Sequence, residues 1–316
     1  MPSSSTTRSS PATPVAEDYA AARNRLAHRV RTGVVAVEGA DRAAFLQGQL
    51  TQDVRGLAPG ESRLAAGLTA KGKLLYFGRL VAEADRLLLL VPASAAPGVA
   101  GHLAKYAAFQ KASARDATAD FLRIALYGPE ASGPRLHGES TFVGTVRLPA
   151  EWDHAGELLA PEGARAAILE ELSSAGSVPV SENTSEILRV EAGRPRWGQD
   201  ATEANLAEEI GLQAAISATK GCYVGQEIVA RMRTYGKVNR RLAGLRFPEG
   251  PVAAGTSYPD PGKPQLELAR VTSSVVSPRF GAIGLGFVFR DVAEGAALGS
   301  AGSPTPTAVV SALPFS

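Results

Sequence analysis

The octapeptide Lys220-Gly221-Cys222-Tyr223-Val224-Gly225-Gln226-Glu227 carries the only cysteine of the chain. An apolar pattern with helical spacing begins directly after it at Ile228, so the octapeptide predicts a turn that leads into a helix. A thiol just before a helix N-terminus lies near the positive end of the helix dipole, and Lys220 adds a second positive charge. We therefore predict a reactive thiolate at Cys222. A small buried thiol in a core is the alternative interpretation.

Length and composition limit the classes of protein that this chain can be. Its 316 residues are enough for two or three domains with cores of their own. The 45% hydrophobic and 20% charged residues are typical of a globular protein, and the formal charge of +2 means that polyanion binding must depend on a local patch. A single cysteine favours a reducing compartment, and no apolar run is long enough to span a membrane, so we expect a cytoplasmic protein.

The first part of the chain combines helices with strands that alternate in hydrophobicity. Residues 1–15 are rich in Ser, Thr and Pro, which predicts a disordered leader. After a strand at residues 34–37, a helix predicted from Asp41 carries Gln47 and Gln49 and runs towards Asp53. These three polar residues could line a pocket, although a solvated helix face explains them equally well. Gly48, within this helix, suggests a close approach to its backbone.

The order of the remaining elements predicts an α+β fold. Hairpin signals join strands at residues 63–68, 74–82 and 86–91, and a helix at 97–109 follows. From residue 241 onwards, short strands punctuated by Gly and Pro predict a small C-terminal β-barrel. We expect an α+β region over residues 16–240 and a β-barrel domain over residues 241–316.

Two further segments offer candidate binding residues. Glu191 lies at a predicted helix end and is followed by Arg194, Arg196 and Trp197, a set that suits a flat heterocycle or forms a plain surface ion pair. Residues 228–247 contain six cations, including Arg231, and no acidic residue. Such a run can bind phosphates or RNA, or it can be a solvated face beside an edge strand.

Several other chemistries are disfavoured. There is no G-x-x-x-x-G-K-[ST] phosphate loop, and the four histidines show no metal-ligand spacing. A permanent iron-sulfur cluster usually takes about four thiolates, so one cysteine could hold a cluster only transiently and with outside ligands.

The octapeptide resembles the signature of the YgfZ family of folate-binding proteins, which are similar to the glycine cleavage T protein, an aminomethyltransferase. That family also includes mitochondrial factors that help to mature iron-sulfur proteins. Four other segments resemble family blocks in the expected order, and together they cover most of the chain from about residue 32: residues 39–54, 68–74, 189–193 and 231–241.

The resemblance implies two interlocked α+β domains around a central folate pocket, with a C-terminal β-barrel. It implies that Glu191 and Arg194 lie near the pterin, that Gln47, Gln49 and Asp53 shape the cavity, and that Arg231 contributes to folate binding. It also places the Cys222 turn at the cavity or its rim. The implied cofactor is tetrahydrofolate or a derivative, with a transient iron-sulfur cluster in addition.

One departure from the transferases bears on activity. Where aminomethyltransferases carry a paired aspartate that includes the catalytic group, this chain has Tyr76 and Phe77, and no carboxylate lies between Glu61 and Glu83. We therefore expect a folate-binding accessory protein that supports iron-sulfur cluster assembly or repair and, through cluster enzymes, tRNA modification. Its expected partners are folate and iron-sulfur proteins or assembly factors, with nucleic acid bound only indirectly or weakly. The alternatives are a folate-dependent aminomethyl or one-carbon transferase and an RNA-binding protein that uses residues 231–246.

Overall fold

A computed structural model describes residues 15–132, 146–149, 154–236, 238–299 and 306–316. The predicted leader at 1–15 lies outside these residues except for Val15, which begins the first helix. The helices are α1 Val15–Asn24, α2 Arg42–Gln49, α3 Ala96–Ala107, α4 Arg165–Ser174, α5 Glu182–Glu191 and α6 Gln226–Tyr235. The strands are β1 Ala27–Arg31, β2 Val34–Glu38, β3 Ser62–Leu68, β4 Leu74–Ala82, β5 Arg86–Leu90, β6 Ser113–Asp116, β7 Phe121–Tyr127, β8 Val146–Leu148, β9 Gly156–Pro161, β10 Val178–Pro179, β11 Arg240–Arg246, β12 Ser257–Asp260, β13 Lys263–Ser277, β14 Gly281–Phe289, β15 Ala297–Gly299 and β16 Pro306–Ser311.

Two five-stranded sheets share the N-terminal part of the chain. One has the order β3-β4-β5-β2-β6, and the other has the order β10-β1-β7-β9-β8. The chain therefore starts in the second sheet with β1, builds the first sheet, and returns with β7. This exchange confirms the predicted interlocked α+β arrangement, and the strand pairs are antiparallel apart from β1 with β10.

The C-terminal strands form a third sheet with the order β12-β13-β14-β11-β16-β15. It is nearly closed, and buried residues such as Leu245, Tyr258 and Val271 fill its inner face. The predicted C-terminal β-barrel is thus confirmed as a barrel-like six-stranded sheet. The long strand β13 also contacts α5, so the barrel packs against the α+β part.

The starts of two helices differ in how far the local sequence explains them. The helix α5 begins with Ser181, whose side chain accepts a hydrogen bond from the backbone N–H of Thr184, as expected of a serine cap. The predicted cap Asp41 makes no such bond, because its carboxylate instead accepts from the backbone N–H of Lys111 at 3.0 Å. Among the described helices, none has the length and apolar character needed to cross a membrane.

Candidate functional site

A cavity of about 410 Å³ lies where the two five-stranded sheets meet α5. Its wall is built from β1, β4, the end of β5, single residues of β3, β7 and β9, one face of α5 and the loop at residues 194–197. This volume is within the range of small-molecule sites. The cavity is therefore the candidate binding site of the protein.

The lining has a large excess of positive charge. Two carboxylates, Glu157 and Glu186, face seven arginines, and their balance leaves a formal charge of +5. The arginines come from five separate parts of the chain, namely Arg29, Arg31, Arg79, Arg123, Arg189, Arg194 and Arg196. Such a lining favours an anionic ligand, because guanidinium groups bind carboxylates and phosphates in paired geometry.

Glu157 is bound to Arg123 in the wall, so its charge offsets that of Arg123, and the excess of arginines in the lining remains. Arg123 Nε donates to Glu157 Oε1 at 2.8 Å, and both side chains are buried. Arg123 Nη1 also donates to the carbonyls of Gly33 at 2.7 Å and Val91 at 3.0 Å. Burial would raise the pKa of Glu157, but the charges of Arg123 and Arg31 prevail and hold that pKa at about 2. Glu157 therefore stays ionised at neutral pH and holds β7 to β9.

Glu186 is occupied in the same way by two arginines. Arg189 donates to its carboxylate at 2.5 and 2.8 Å, and Arg196 forms a second ion pair with it. Arg189 also donates to the fully buried Asp200 at 2.7 Å. Asp200 in turn accepts from Ser273 on β13 at 2.7 Å. This network ties α5, the loop at 194–201 and the barrel together beneath the cavity floor.

Two aromatic rings form an apolar part of the wall. Phe77 and Trp197 both line the cavity and contact each other edge to face, with ring centroids 6.0 Å apart. Trp197 is half-buried, so part of its indole faces the cavity. A flat heterocycle could pack against these rings while its charged part meets the arginines.

Of the six predicted folate-binding residues, the structure places Arg194 in the cavity lining and the other five outside it. Glu191 is buried elsewhere, where it accepts from Tyr19 at 2.7 Å and Ser277 at 2.5 Å and pairs with Arg23. These bonds fasten α1 to α5 and β13, so Glu191 has a structural role at this place. Glu191 was predicted from the sequence as a binding residue and Glu186 was not considered, although both residues lie on α5.

The predicted residues near α2 also serve the fold. Gln47 is buried, and its Oε1 accepts from the backbone N–H of Val54 at 2.8 Å. Asp53 is half-buried and accepts from the backbone N–H of Arg55 at 3.1 Å. Gln49 is half-buried at the last residue of α2, and Arg231 is exposed on α6. The carbonyl of Gly48 accepts from Val224 at 3.1 Å, but a Cβ there would meet nothing within 4 Å, so no close approach requires this glycine.

Lys220 joins the octapeptide to the end of α2. Its Nζ donates to the carbonyls of Gln47 at 2.7 Å, Leu50 at 2.5 Å and Gln52 at 3.0 Å. It also lies 5.0 Å from the ring centroid of Tyr223. Burial lowers the pKa of Lys220 to about 8, against an opposing effect of Asp53. The ammonium group therefore satisfies carbonyls that α2 leaves without helical partners, rather than serving the thiol.

The turn that precedes α6 packs on the hairpin between β3 and β4. Gly225 has a φ of +83°, and a Cβ there would lie 2.6 Å from the carbonyl oxygen of Thr69. Gly72, in the hairpin, has a φ of +72°, and its Cβ would lie 2.8 Å from Ile228. Two of the sequence blocks, 68–74 and 220–227, thus meet in space at positions that only glycine fits well. Gly221 has open space around it and needs no such explanation.

Cys222 is exposed, four residues before the first residue of α6. The core-thiol alternative is therefore wrong. No residue of 220–227 is among those that line the 410 Å³ cavity in the described part of the chain. The octapeptide and the cavity wall nevertheless share one apolar cluster, which contains Phe77, Trp197, Tyr223 and Val229.

Comparisons with known proteins agree with this architecture. The crystal structure of the glycine cleavage system aminomethyltransferase T from Bartonella henselae matches with a TM-score of 0.83 and 23% identity, covering 96% of this chain and 89% of that one. A putative chloroplastic transferase of Arabidopsis thaliana is 27% identical over 283 residues, which are 83% of this chain and 64% of that protein. The tRNA-modifying protein YgfZ of Edwardsiella ictaluri is 32% identical over 233 residues, which are 66% of this chain and 67% of that protein.

The chain belongs to the YgfZ family. It spans about two thirds of the length of the curated relatives that it matches. No family model matches the chain.

Tyr76 and Phe77 stand where the resemblance leads us to expect the paired aspartate of the transferases. Phe77 belongs to the cavity wall, and Tyr76 is buried in the core of the first sheet. Burial raises the pKa of Tyr76 well above its ordinary value, so the hydroxyl stays protonated. Neither residue can act as a carboxylate base.

Half of the cations in the basic segment of this YgfZ-family protein are bonded within the fold. Arg240 pairs with Glu209 and lies over the ring of Phe287. Arg241 donates to the carbonyl of Val292 at 2.9 Å. Arg246 donates to the carbonyl of Ser316 at 3.2 Å. The side chains of Arg233 and Lys237 lie outside the described residues. Three of the six cations therefore hold the fold, which weakens the case for an RNA-binding stripe at 231–246.

Proposed function

We propose that this protein binds a reduced folate in the cavity between its two five-stranded sheets and supports tRNA modification in the cytoplasm. The observation that carries the proposal is the lining of the cavity, which contains seven arginines, an aromatic pair and two carboxylates. Both carboxylates are ion-paired with arginines of the same lining, and the excess of arginines remains. A reduced folate combines a flat pterin with an anionic glutamyl tail. The aromatic wall suits the pterin, and the arginines suit the tail.

The proposed contacts of the folate differ from those expected from the sequence. Arg194 and Arg196 lie beside Trp197 at the end of α5, so we assign them to the mouth that receives the anionic tail. We propose that Glu186, which lines the cavity and is oriented by Arg189, takes the place near the pterin that was expected for Glu191. The name of the Edwardsiella relative supports the tRNA-modification part of the proposal.

The proposed link to iron-sulfur proteins rests on the exposed thiol. Cys222 is accessible to a partner, and no group of three or more potential metal ligands occurs among the described residues. A cluster could therefore contact Cys222 only with further ligands from a partner protein. We propose iron-sulfur proteins or cluster assembly factors as these partners, and the enzymes that modify tRNA as their clients.

A conventional aminomethyltransferase activity is the second candidate, which the likeness of the fold favours. The cavity lining argues against it, because both carboxylates are held by arginines and Glu157 has a pKa of about 2. A general base needs a pKa nearer the working pH. Release of methylenetetrahydrofolate from an aminomethyl donor would establish the transferase instead.

An anaerobic calorimetric titration with tetrahydrofolate tests the folate site. Arg194→Gln removes one charge from the lining, and we expect it to weaken binding by about tenfold or more, since a hydrogen bond to a charged group contributes about 1.5–3 kcal/mol. Arg270→Gln, a change of an exposed arginine on β13 outside the cavity, is the matched control and should bind as the unchanged protein does. Absence of tetrahydrofolate binding by the unchanged protein would refute the proposal.

The role of the thiol needs a separate experiment in cells. We expect Cys222→Ser to bind tetrahydrofolate normally, because Cys222 does not line the cavity. The same substitution should lower the activity of cluster-containing tRNA-modifying enzymes. Normal activity of those enzymes with Cys222→Ser would contradict the proposed role of the thiol and leave the folate site standing.

A further inference from the structure

Two aromatic side chains are exposed together at the end of α3. Tyr106 has 44% of its surface exposed, and Phe109 has 88% exposed. They are three residues apart, so they lie on neighbouring positions of the last helical turn and the turn that follows it. Single exposed apolar residues are ordinary, but two exposed aromatic residues this close in sequence form a small aromatic patch.

The backbone that carries Phe109 is held in place by the start of α2. The backbone N–H of Asp41 donates to the carbonyl of Lys111 at 3.0 Å, and the N–H of Lys111 donates back to the Asp41 carboxylate at 3.0 Å. Gly39, with a φ of +104°, allows this approach, since a Cβ there would lie 2.4 Å from the Lys111 carbonyl oxygen. Phe109 is thus presented on an anchored turn, which reduces the entropy lost when a ligand binds.

Tyr106 packs against a short series of rings in tilted and edge-to-face contact. Its centroid lies 5.1 Å from that of His102, which lies 6.0 Å from that of the buried Tyr76. Burial and the charge of Lys105 both lower the pKa of His102, so its ring is neutral at pH 7. These ring contacts position Tyr106 without adding a charge.

Two lysines flank the rings. Lys105 and Lys111 are both exposed, and the Lys105 Nζ lies 5.9 Å from the centroid of Tyr106. Residues 86–115 contain no Asp or Glu, and the Asp41 carboxylate beside the patch is bonded to the backbone N–H of Lys111. Arg115, at the edge of the segment, is paired with Asp120. Lys105, Tyr106, Phe109 and Lys111 together are called the α3 patch below.

We propose that the α3 patch binds single-stranded RNA. Bases stack on Phe109 and Tyr106, and the adjacent phosphates lie near Lys105 and Lys111. Single-stranded nucleic acid is bound elsewhere by this combination of stacking rings and cations. A ring that is 88% exposed offers its faces to a base, whereas aromatic anchors of protein interfaces usually fill pockets. The α3 patch shares no residue with the folate cavity, so this inference goes beyond the proposed function and does not depend on it.

Fluorescence anisotropy with a labelled single-stranded RNA of about a dozen nucleotides tests the α3 patch. Phe109→Ala should weaken binding by about five- to a hundredfold, the loss expected when one base no longer stacks. The double change Lys105→Glu and Lys111→Glu should weaken binding further and reduce its dependence on salt. Val276→Ala, at another exposed apolar residue with 59% exposure, and Lys263→Glu are the controls and should bind RNA unchanged.

The outcomes separate the alternatives. Equal RNA binding by Phe109→Ala and the unchanged protein, or no RNA binding at low salt, would overturn the proposal. Binding of a labelled polyglutamate peptide in place of RNA, lost in Phe109→Ala, would assign the α3 patch to an acidic protein and also overturn it. Phe109→Ala should still bind tetrahydrofolate. RNA binding that depends on Phe109 in a protein without folate binding would support the α3 patch and refute only the folate proposal.

Discussion

Glu157→Gln should reveal how much the fold depends on the buried charge in the cavity wall. The substitution keeps the shape of the side chain and removes the negative charge that faces Arg123 at 2.8 Å. The pKa of Glu157 is about 2 in the folded protein and 4.5 ordinarily. That difference corresponds to a contribution of about 3 kcal/mol to the free energy of unfolding at pH 7.

The pH dependence of this contribution has a definite sign. Because the folded pKa is lowered, the stabilisation is fully present above pH 4.5 and is lost as the pH falls towards 2. Urea unfolding followed by circular dichroism should therefore show Glu157→Gln about 3 kcal/mol less stable at pH 7 and only about 1.5 kcal/mol less stable at pH 3.

A matched substitution at the surface controls for the loss of any charged pair. Glu267 pairs with the exposed Arg270, so Glu267→Gln should change the free energy of unfolding by less than about 1 kcal/mol. The reasoning is refuted if Glu157→Gln and the unchanged protein differ in free energy of unfolding by the same amount at pH 7 and at pH 3. A gap below about 1 kcal/mol at pH 7 would refute it as well.

Further substitutions test the octapeptide and the core. Gly225→Ala should lower the free energy of unfolding in urea by about 3 kcal/mol, because the positive φ is strained and the added Cβ would clash with the carbonyl of Thr69. The control Gly211→Ala has a positive φ but open space around it, so it should lower that free energy by only about 1 kcal/mol. Equal losses would show that the contact with Thr69 is unimportant. Lys220→Met should lower the melting temperature through a loss of about 3 kcal/mol, since three carbonyls lose their donor; an unchanged melting temperature would contradict that role. Tyr76→Phe should stabilise the protein by about 1 kcal/mol in urea, because its buried hydroxyl has no hydrogen-bond partner among the described residues. A destabilised Tyr76→Phe would point to a bound water.

Strong local signals in the sequence predicted the elements well. The hairpins of β3, β4 and β5 follow from alternating hydrophobic residues and glycine turns, and α3 from its apolar spacing and early proline. The helix α1 and the strand β1 were missed. The sequence of α1 has little amphipathic character. The helix is ordered by long-range bonds, such as those that its Asp18 carboxylate accepts from Ser181 and Thr184. The helix propensity of a short segment contains no information about such distant contacts, so it cannot predict them.

The candidate site was only partly predictable. Arg194, Arg196 and Trp197 are consecutive enough to suggest a site, and they do line the cavity. Arg29, Arg79 and Arg123 lie on three strands of two sheets, and no spacing in the sequence brings them together. A helical wheel also cannot say whether Glu186 or Glu191 faces a ligand, because each is polar on a largely buried helix.

The sequence by itself determined the family, the α+β class, the C-terminal barrel and the turn before α6, because these follow from glycine positions, hydrophobic periodicity and a specific octapeptide. Only the tertiary structure decided which polar groups remain for a ligand. Glu191, Gln47 and Lys220 were candidates for function by type, but each is already bonded within the fold: Glu191 to the distant Tyr19, Lys220 to the distant carbonyl of Gln47, and the Gln47 side chain to the nearby Val54. A buried polar group is available to a ligand only if no other group of the protein bonds to it. Partners more than a hundred residues away in the sequence, such as Tyr19 for Glu191, come into contact only in the folded chain.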